Sequence, residues 1–200
     1  MRGECIYRSC PQWKYYYRKR HMKLKRVRIE NFRCYQDITI CIDNLTTIIG
    51  KNDIGKSSIL EALEIFFNNE TVKIDPTDVN IYSGDNKTVS ITCDFTCLPE
   101  SPILDAEAET NLAEEYLTID EDTLRIKKQF DCSKAKPTES VVIIANHPQL
   151  EGMDSLLSLK ESELKKIVKD NGIVSPLSGN PKMRKNIWNY FGAEAKLQET

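Results

Sequence analysis

Residues 22 onward carry a regular alternation of apolar and polar positions. In KLKRVRIENF, Val27 and Ile29 alternate as strand residues do, and DITICID places Ile38, Ile40 and Ile42 on one face. Two strands are therefore expected in close succession. After an Asp43-Asn44 turn, LTTIIG is short, β-rich and apolar to its end, which predicts a buried parallel strand leading into a loop that begins at Gly50. The period then changes from two to about 3.6 residues. Ile59, Leu63, Phe66 and Phe67, with Leu60 and Ala62 beside them, predict a helix with a wide apolar face for packing on a sheet.

Beyond Asn69 three more strands are expected: VSITCDF, alternating at Val89, Ile91, Cys93 and Phe95; LRIKKQF, alternating at Leu124, Ile126 and Phe130; and the compact run VVIIA. Between the first two, residues 105–122 hold eight Asp or Glu and no Lys or Arg, which reads as a solvated helix and loop, since clustered carboxylates alone do not make ligands. Residues 151–200 read as helical. Ser158 followed by Glu161 fits a capping box, Leu164, Ile167 and Val168 form a stripe, and Asn171-Gly172 ends it. A second helix follows Asn180-Pro181, with Met183, Ile187, Trp188 and Phe191 on its apolar face.

Composition narrows the class more than the function. A chain of 200 residues, 40% hydrophobic and 29% charged, can build one sizeable core or two small ones. A net charge of -2 supplies no whole-chain field to recruit nucleic acid, so any such contact needs a local patch. Seven cysteines, with no Cys-x-x-Cys pair, read as reduced thiols. No apolar run approaches the ~18 residues of a membrane span and no signal peptide opens the chain, so a cytoplasmic protein without membrane contact is expected. Residues 1–21 carry six Lys or Arg against Glu4, beside Tyr15, Tyr16 and Tyr17. They read as a basic disordered tail or a start assigned too early, with stacking on single-stranded nucleic acid as the functional alternative.

The chemistry lies in GKNDIGKSS. Gly50, Gly55, Lys56 and Ser57 match G-x-x-x-x-G-K-[ST] at every fixed position, between an apolar strand pattern and an amphipathic helix pattern. The spacing suits a loop that wraps phosphate with successive backbone N–H groups, to which the helix N-terminus adds unpaired donors and the positive end of its dipole. The nucleotide-contacting set is thus Gly50, Asn52, Asp53, Ile54, Gly55, Lys56, Ser57 and Ser58. Lys56 is expected at the β- and γ-phosphates of ATP, and the Ser57 hydroxyl as a ligand to Mg²⁺.

The segment KLKRVRIENFRCYQDITICIDNLTTIIGKNDIGKSSILEALEIFF resembles the N-terminal lobe of the ABC-type ATPases of the SMC and RecF superfamily. Its marks are the strand ending in Glu30-Asn31-Phe32-Arg33, the Tyr35-to-Ile42 hairpin partner and the Walker A loop close behind. Within that group the loop, with Asn-Asp-Ile-Gly-Lys, resembles the OLD (overcoming lysogenization defect) family of nucleases, which includes the Gabija-type defence ATPase. The resemblance implies an α/β P-loop NTPase of the ABC/SMC head type, with a mixed sheet and P-loop helix at residues 22–150 and a helical segment at 151–200. It implies a head that binds ATP and Mg²⁺, forms a homodimer around nucleotide, and is joined to a Toprim nuclease that cuts DNA. Arg33 would correspond to the family arginine that touches nucleotide phosphates, and Gln129 to a Q-loop residue serving Mg²⁺ or its water.

Several parts of a complete head are not legible: a signature Ser-Gly motif, a Walker B strand ending in Asp, a catalytic Glu and a switch His. Leu177-Ser178-Gly179 reads instead as a turn before a Pro-started helix. The expectation is a lobe that stops before Walker B and, on its own, binds ATP without turning it over, so no catalytic residue is assigned. Two alternatives stay open: a fragment of a SMC or RecF-type DNA repair ATPase, and a non-catalytic remnant that binds nucleotide or a partner.

Overall fold

The computed structural model describes residues 22–51, 55–99, 112–149, 156–192 and 194–199. Six strands, β1 (Lys23–Phe32), β2 (Tyr35–Cys41), β3 (Thr88–Thr96), β4 (Leu124–Asp131), β5 (Thr138–Gln149) and β6 (Glu194–Glu199), form one sheet in the order β2-β1-β3-β4-β5-β6. The helices are α1 (Lys56–Phe66), α2 (Glu161–Asp170) and α3 (Asn180–Tyr190). Every strand pairing is antiparallel.

The alternation read in the sequence sets the two faces of this sheet, because successive side chains point to opposite sides. Val27 and Ile29 of β1, Val89, Ile91, Cys93 and Phe95 of β3, and Leu124 and Phe130 of β4 are buried in one cluster with Ile59, Ala62, Ile65 and Phe66 of α1. The other face carries charge instead of a helix. Asp94, at the centre of β3, accepts from Arg26 Nε at 2.8 Å and from Arg125 Nε at 2.7 Å, and Asp37 accepts from Arg28 Nε at 2.9 Å.

Three expectations are corrected here. The mixed sheet with a parallel strand at LTTIIG is not formed among the described residues: residues 46–50 pair with no strand, and Leu45 and Ile49 are 87% and 89% exposed. A parallel strand is stable only between neighbours that bury both of its faces, and β1 already has β2 and β3 as its partners. On α1 the buried stripe is Ile59, Ala62, Ile65 and Phe66, so Leu60 and Phe67 lie outside it; Phe67 instead meets Phe66 edge-on, at 5.3 Å between centroids. Residues 151–200 are not wholly helical, because β6 extends the sheet by pairing Ile144–Gln149 with Glu194–Glu199.

The second core is built by α2 and α3, with Leu156, Leu164, Val168, Ile173, Met183, Ile187 and Trp188. The cap of α2 is two residues later than Ser158 implies: the Glu163 carboxylate accepts the Lys160 backbone N–H at 2.7 Å, half of a capping box, and Gly172 at φ 63 follows the helix end. Phe191, expected on the apolar face of α3, is half-exposed beyond its end. Residues 105–111 lie outside the described residues, but Glu115 is no part of a solvated acidic run. It is fully buried and accepts two hydrogen bonds from Arg184, at 2.9 and 2.7 Å.

His147 of β5 closes this second core. It is 2% exposed, its ring meets Trp188 edge-on at 5.2 Å, and Nδ1 lies 3.1 Å from the Tyr116 carbonyl. A carbonyl only accepts, so Nδ1 carries the proton and the buried Nε2 keeps an unpartnered lone pair. Burial, the largest cause, pushes the imidazole below its ordinary value, against the Tyr116 bond and the Glu115 charge, which raise it. The folded state therefore binds the proton more weakly than the unfolded chain. Its contribution to stability is present above about pH 6.5 and is lost as the pH falls below it. The thermal midpoint is expected to drop from about pH 7.5 to about pH 5, and to drop less in His147→Gln. Equal slopes for the two proteins would remove His147 from the account.

Candidate functional site

Gly55 stands directly before α1. It caps α1 with φ 92, in the left-handed region that glycine tolerates, and its carbonyl accepts the first helical bond, from Ile59 N–H at 3.3 Å. The N–H groups of Lys56, Ser57 and Ser58 in the first turn have no intrahelical partner and lie at the positive end of the α1 dipole. A methyl group at Gly55 would overlap Cys34 Sγ and lie 2.8 Å from the Tyr35 hydroxyl. Gly55 thus rests directly on the β1–β2 turn. Burial, and after it the neighbouring Cys34, pushes the Tyr35 phenol above its ordinary value, so it stays protonated beside the loop.

Lys56 folds back over the loop and donates to the carbonyls of Gly50 at 2.7 Å and Lys51 at 2.5 Å. Its ammonium is thereby held at the Gly50 and Lys51 carbonyls. The Ser57 side chain is exposed and Ser58 is buried at the base of the turn. Gly50, Gly55, Lys56, Ser57 and Ser58 are therefore brought together. Asn52, Asp53 and Ile54, also expected to contact nucleotide, lie outside the described residues, as do residues 1–21.

Arg33 stands beside this loop in the left-handed region, at φ 49. Its guanidinium pairs with Glu61 of α1 and donates to Asp78 Oδ1 at 2.8 Å, while its backbone N–H donates to the Asp78 carbonyl at 2.6 Å. Burial would lower its pKa, but the bonds to Asp78 and Glu61 outweigh that and hold it raised, so the charge is permanent. Both carboxylates were missed in the sequence. Asp75-Pro76-Thr77-Asp78 was the available signal, because Asp before Pro with Asp three residues later is a capping pattern, and here it closes a single 3-10 turn at Pro76–Asp78.

Gln129 is not brought to the loop. It pairs with Ser90 on β3 and lies between Lys128 and Phe130. Lys128 Nζ sits 5.6 Å from the Phe66 ring of α1, so by alternation Gln129 projects from the opposite side of the sheet. Gly179, the cap of α3 at φ 85, accords with a turn at Leu177-Ser178-Gly179. Among the described residues no group of three or more His, Cys, Asp or Glu could hold a metal ion, and no helix is long and apolar enough to cross a membrane.

A family model of the AAA ATPase domain matches residues 22–199, nearly the whole chain and both helical and sheet elements described above. The chain belongs to the AAA ATPase domain family. Within this AAA ATPase domain, a segment of 42 residues is 45% identical to the OLD nuclease of Thermus scotoductus, covering 21% of this chain and 8% of that protein. A segment of 52 residues is 40% identical to Endonuclease GajA of Bacillus cereus, covering 26% of this chain and 9% of that protein. The matches span less than a tenth of either relative's length. They support an OLD-family ATPase-type N-terminal region in this chain.

The residues of the AAA ATPase domain that surround Gly55 fit a nucleoside triphosphate with Mg²⁺. The fit rests on a glycine at φ 92 that packs against Cys34 and Tyr35 at the start of α1, where no side chain of its own stands before the helix N-terminus. It rests also on three first-turn N–H groups that have no intrahelical partner and on one ammonium held at the Gly50 carbonyl.

Proposed function

We propose that this chain is the ATP- and Mg²⁺-binding N-terminal lobe of an OLD-like ATPase of the ABC/SMC head type. The observation that carries the reading is the Lys56 ammonium lying over the Gly50 and Lys51 carbonyls, at the mouth of a loop capped by a left-handed Gly55. In this reading Lys56 leaves those carbonyls for the β- and γ-phosphates, and the first-turn N–H groups bind phosphate oxygens without rearranging. The exposed Ser57 hydroxyl is the protein's ligand to Mg²⁺, an ion that supplies neutralisation of the phosphate charge. Arg33, fixed by Asp78 and Glu61, keeps a permanent positive charge beside the loop. Action on DNA, homodimerisation of heads around nucleotide, a place in the cytoplasm and a part in phage defence belong to the same proposal. The nuclease side of it rests on the names of the two relatives.

Lys56 and Ser57 act on different partners and are expected to fail differently. Lys56→Ala removes a charge-assisted contact worth about 1.5–3 kcal/mol, so ATP affinity should fall by about one to two powers of ten, with or without metal. Ser57→Ala deletes one ligand of the ion and spares the loop N–H groups, so its loss should be visible with Mg²⁺ and nearly absent in EDTA. Titration of a fluorescent ATP analogue into both variants, in both buffers, reads this out. Equal losses for Ser57→Ala in the two buffers would overturn its role as a metal ligand.

A further inference from the structure

The chain passes from β1 into β2 through only two residues, Arg33 and Cys34, with Phe32 paired to Tyr35 across them. A two-residue hairpin turn takes a positive φ at its first position, which glycine or asparagine ordinarily supplies. Here that position is an arginine at φ 49, and Asn31, on the other side of the fully buried Phe32, is left-handed too, at φ 59. Asparagine visits this region at modest cost, whereas arginine has no short polar group to bond its own backbone there. Such a residue stays left-handed only where its surroundings over-determine it.

Two residues from the segment after α1 supply that hold. The Arg33 N–H donates to the Asp78 carbonyl at 2.6 Å, and the Arg33 carbonyl accepts from Asn80 Nδ2 at 2.6 Å, so both backbone polar groups of the turn residue are tied down. The side chain follows, with Nε donating to Asp78 Oδ1 at 2.8 Å. Neither holder is loose. Asp78, 8% exposed, accepts the Asp75 N–H at 2.9 Å through its other oxygen. Asn80, 2% exposed, accepts the Tyr82 N–H at 2.9 Å through Oδ1 and donates its own N–H to the Asn31 carbonyl at 3.2 Å. One asparagine thus clasps both left-handed residues that flank Phe32.

The corner fixed in this way is the surface that Gly55 packs against. A Cβ on Gly55 would overlap Cys34 Sγ and lie 2.8 Å from Tyr35 Oη, so the place of those two side chains sets the place of the residue that caps α1. We infer that Asn80, helped by Asp78, is a positioning residue for the phosphate-binding start of α1. It clasps Asn31 and Arg33, the clasped turn fixes Cys34 and Tyr35, and these fix Gly55. The effect on ATP rests on the phosphate-loop reading of Gly50 to Ser58, whereas the effect on Gly55 does not. With the clasp open the turn relaxes from the left-handed region, and the first-turn N–H groups of α1 lose their common aim.

The test uses the full chain with Asn80→Asp, which keeps the size and the oxygen that takes the Tyr82 N–H and loses the donor to the Arg33 carbonyl. Asn80→Ala, which adds no charge, accompanies it. The chain has eight glycines, so glycine-selective isotope labelling gives a sparse amide spectrum in which Gly55 is assigned by its loss in Gly55→Ala. In both Asn80 variants the Gly55 signal should move while those of Gly172 and Gly192 stay, which a general loss of stability would not produce. ATP affinity, by calorimetric titration, should fall roughly threefold to tenfold. Asp78→Asn keeps the carbonyl that takes the Arg33 N–H, and should show both effects in smaller measure; it carries the test if the Asn80 variants do not fold. An unmoved Gly55 signal in the folded variants would overturn the positioning role. A moved signal with unchanged ATP affinity, where Lys56→Ala does weaken ATP, would overturn its bearing on phosphate binding. Unchanged ATP affinity in Lys56→Ala would overturn the phosphate-loop reading and the effect on ATP with it.

Discussion

Replacement of Arg184 by methionine is expected to cost about 3–5 kcal/mol of stability, the size of effect seen when one partner of a buried ion pair is removed. Arg184 and Glu115 meet side-on, Nε to Oε2 at 2.9 Å and Nη2 to Oε1 at 2.7 Å, with side-chain exposures of only 8% and 2%. Removing the guanidinium takes both of these hydrogen bonds from a carboxylate that is almost wholly buried. Against a total stability of about 5–15 kcal/mol, that is enough to unfold much of the population. The double replacement Glu115→Met with Arg184→Met removes both charges and fills the space with apolar atoms, so it should lie near the unsubstituted chain in stability. Arg184→Lys keeps the charge but loses the two-pronged geometry, and should fall between them. Chemical denaturation of the four proteins checks the order. A loss below about 1 kcal/mol for Arg184→Met, or a double variant as weak as the single, would mean that the pair is not a buried charge pair.

This pair also marks the boundary of what the sequence could reveal. Local period was enough for β1, β2, β3, β4 and α1, because Val27 and Ile29 or Val89, Ile91 and Cys93 face one core and their neighbours face water or charge. The placement of Gly55, Lys56 and Ser57 at the start of α1 was equally legible, since their spacing defines the turn into the helix. Long-range pairings were not. Glu115 lies in a run of acidic residues whose composition says solvent, and its burial goes with a partner 69 residues away. Arg33, Glu61, Asp78 and Asn80 come together from three separate segments for the same reason. The segment LTTIIG was misread because its composition reports what a strand could bury, while pairing depends on a free neighbour in the sheet. Strand β6 carried no signal at all: EAKLQE has one apolar alternation, and only its docking on β5 makes it a strand.

Gly55→Ala is expected to remove at least a factor of ten in ATP affinity, and to do so through the loop rather than through global unfolding. Two costs add at this position. A side chain at φ 92 pays the left-handed penalty of about 1–2 kcal/mol, and its Cβ would overlap Cys34 Sγ while lying 2.8 Å from Tyr35 Oη and 3.0 Å from Tyr35 Cζ. Tyr35 cannot easily retreat, because it opens β2 and is paired with the fully buried Phe32. The loop must move instead, carrying with it the carbonyl that starts α1 and the first-turn N–H groups meant for phosphate. A shift of that kind breaks several hydrogen bonds to one ligand at once, and each tenfold loss corresponds to only about 1.4 kcal/mol. Gly84→Ala is the control. Gly84 has φ 58 but nothing within 4 Å of an added Cβ, so it bears the backbone strain without the collision and should leave ATP affinity unchanged. Cys34→Ala placed in the Gly55→Ala chain removes the sulfur and should restore part of the loss, the remainder being set by Tyr35 and the backbone. Calorimetric titration of ATP into these three variants measures each contribution, and a Gly55→Ala chain that binds ATP as well as the unsubstituted one would place the phosphates somewhere other than this loop.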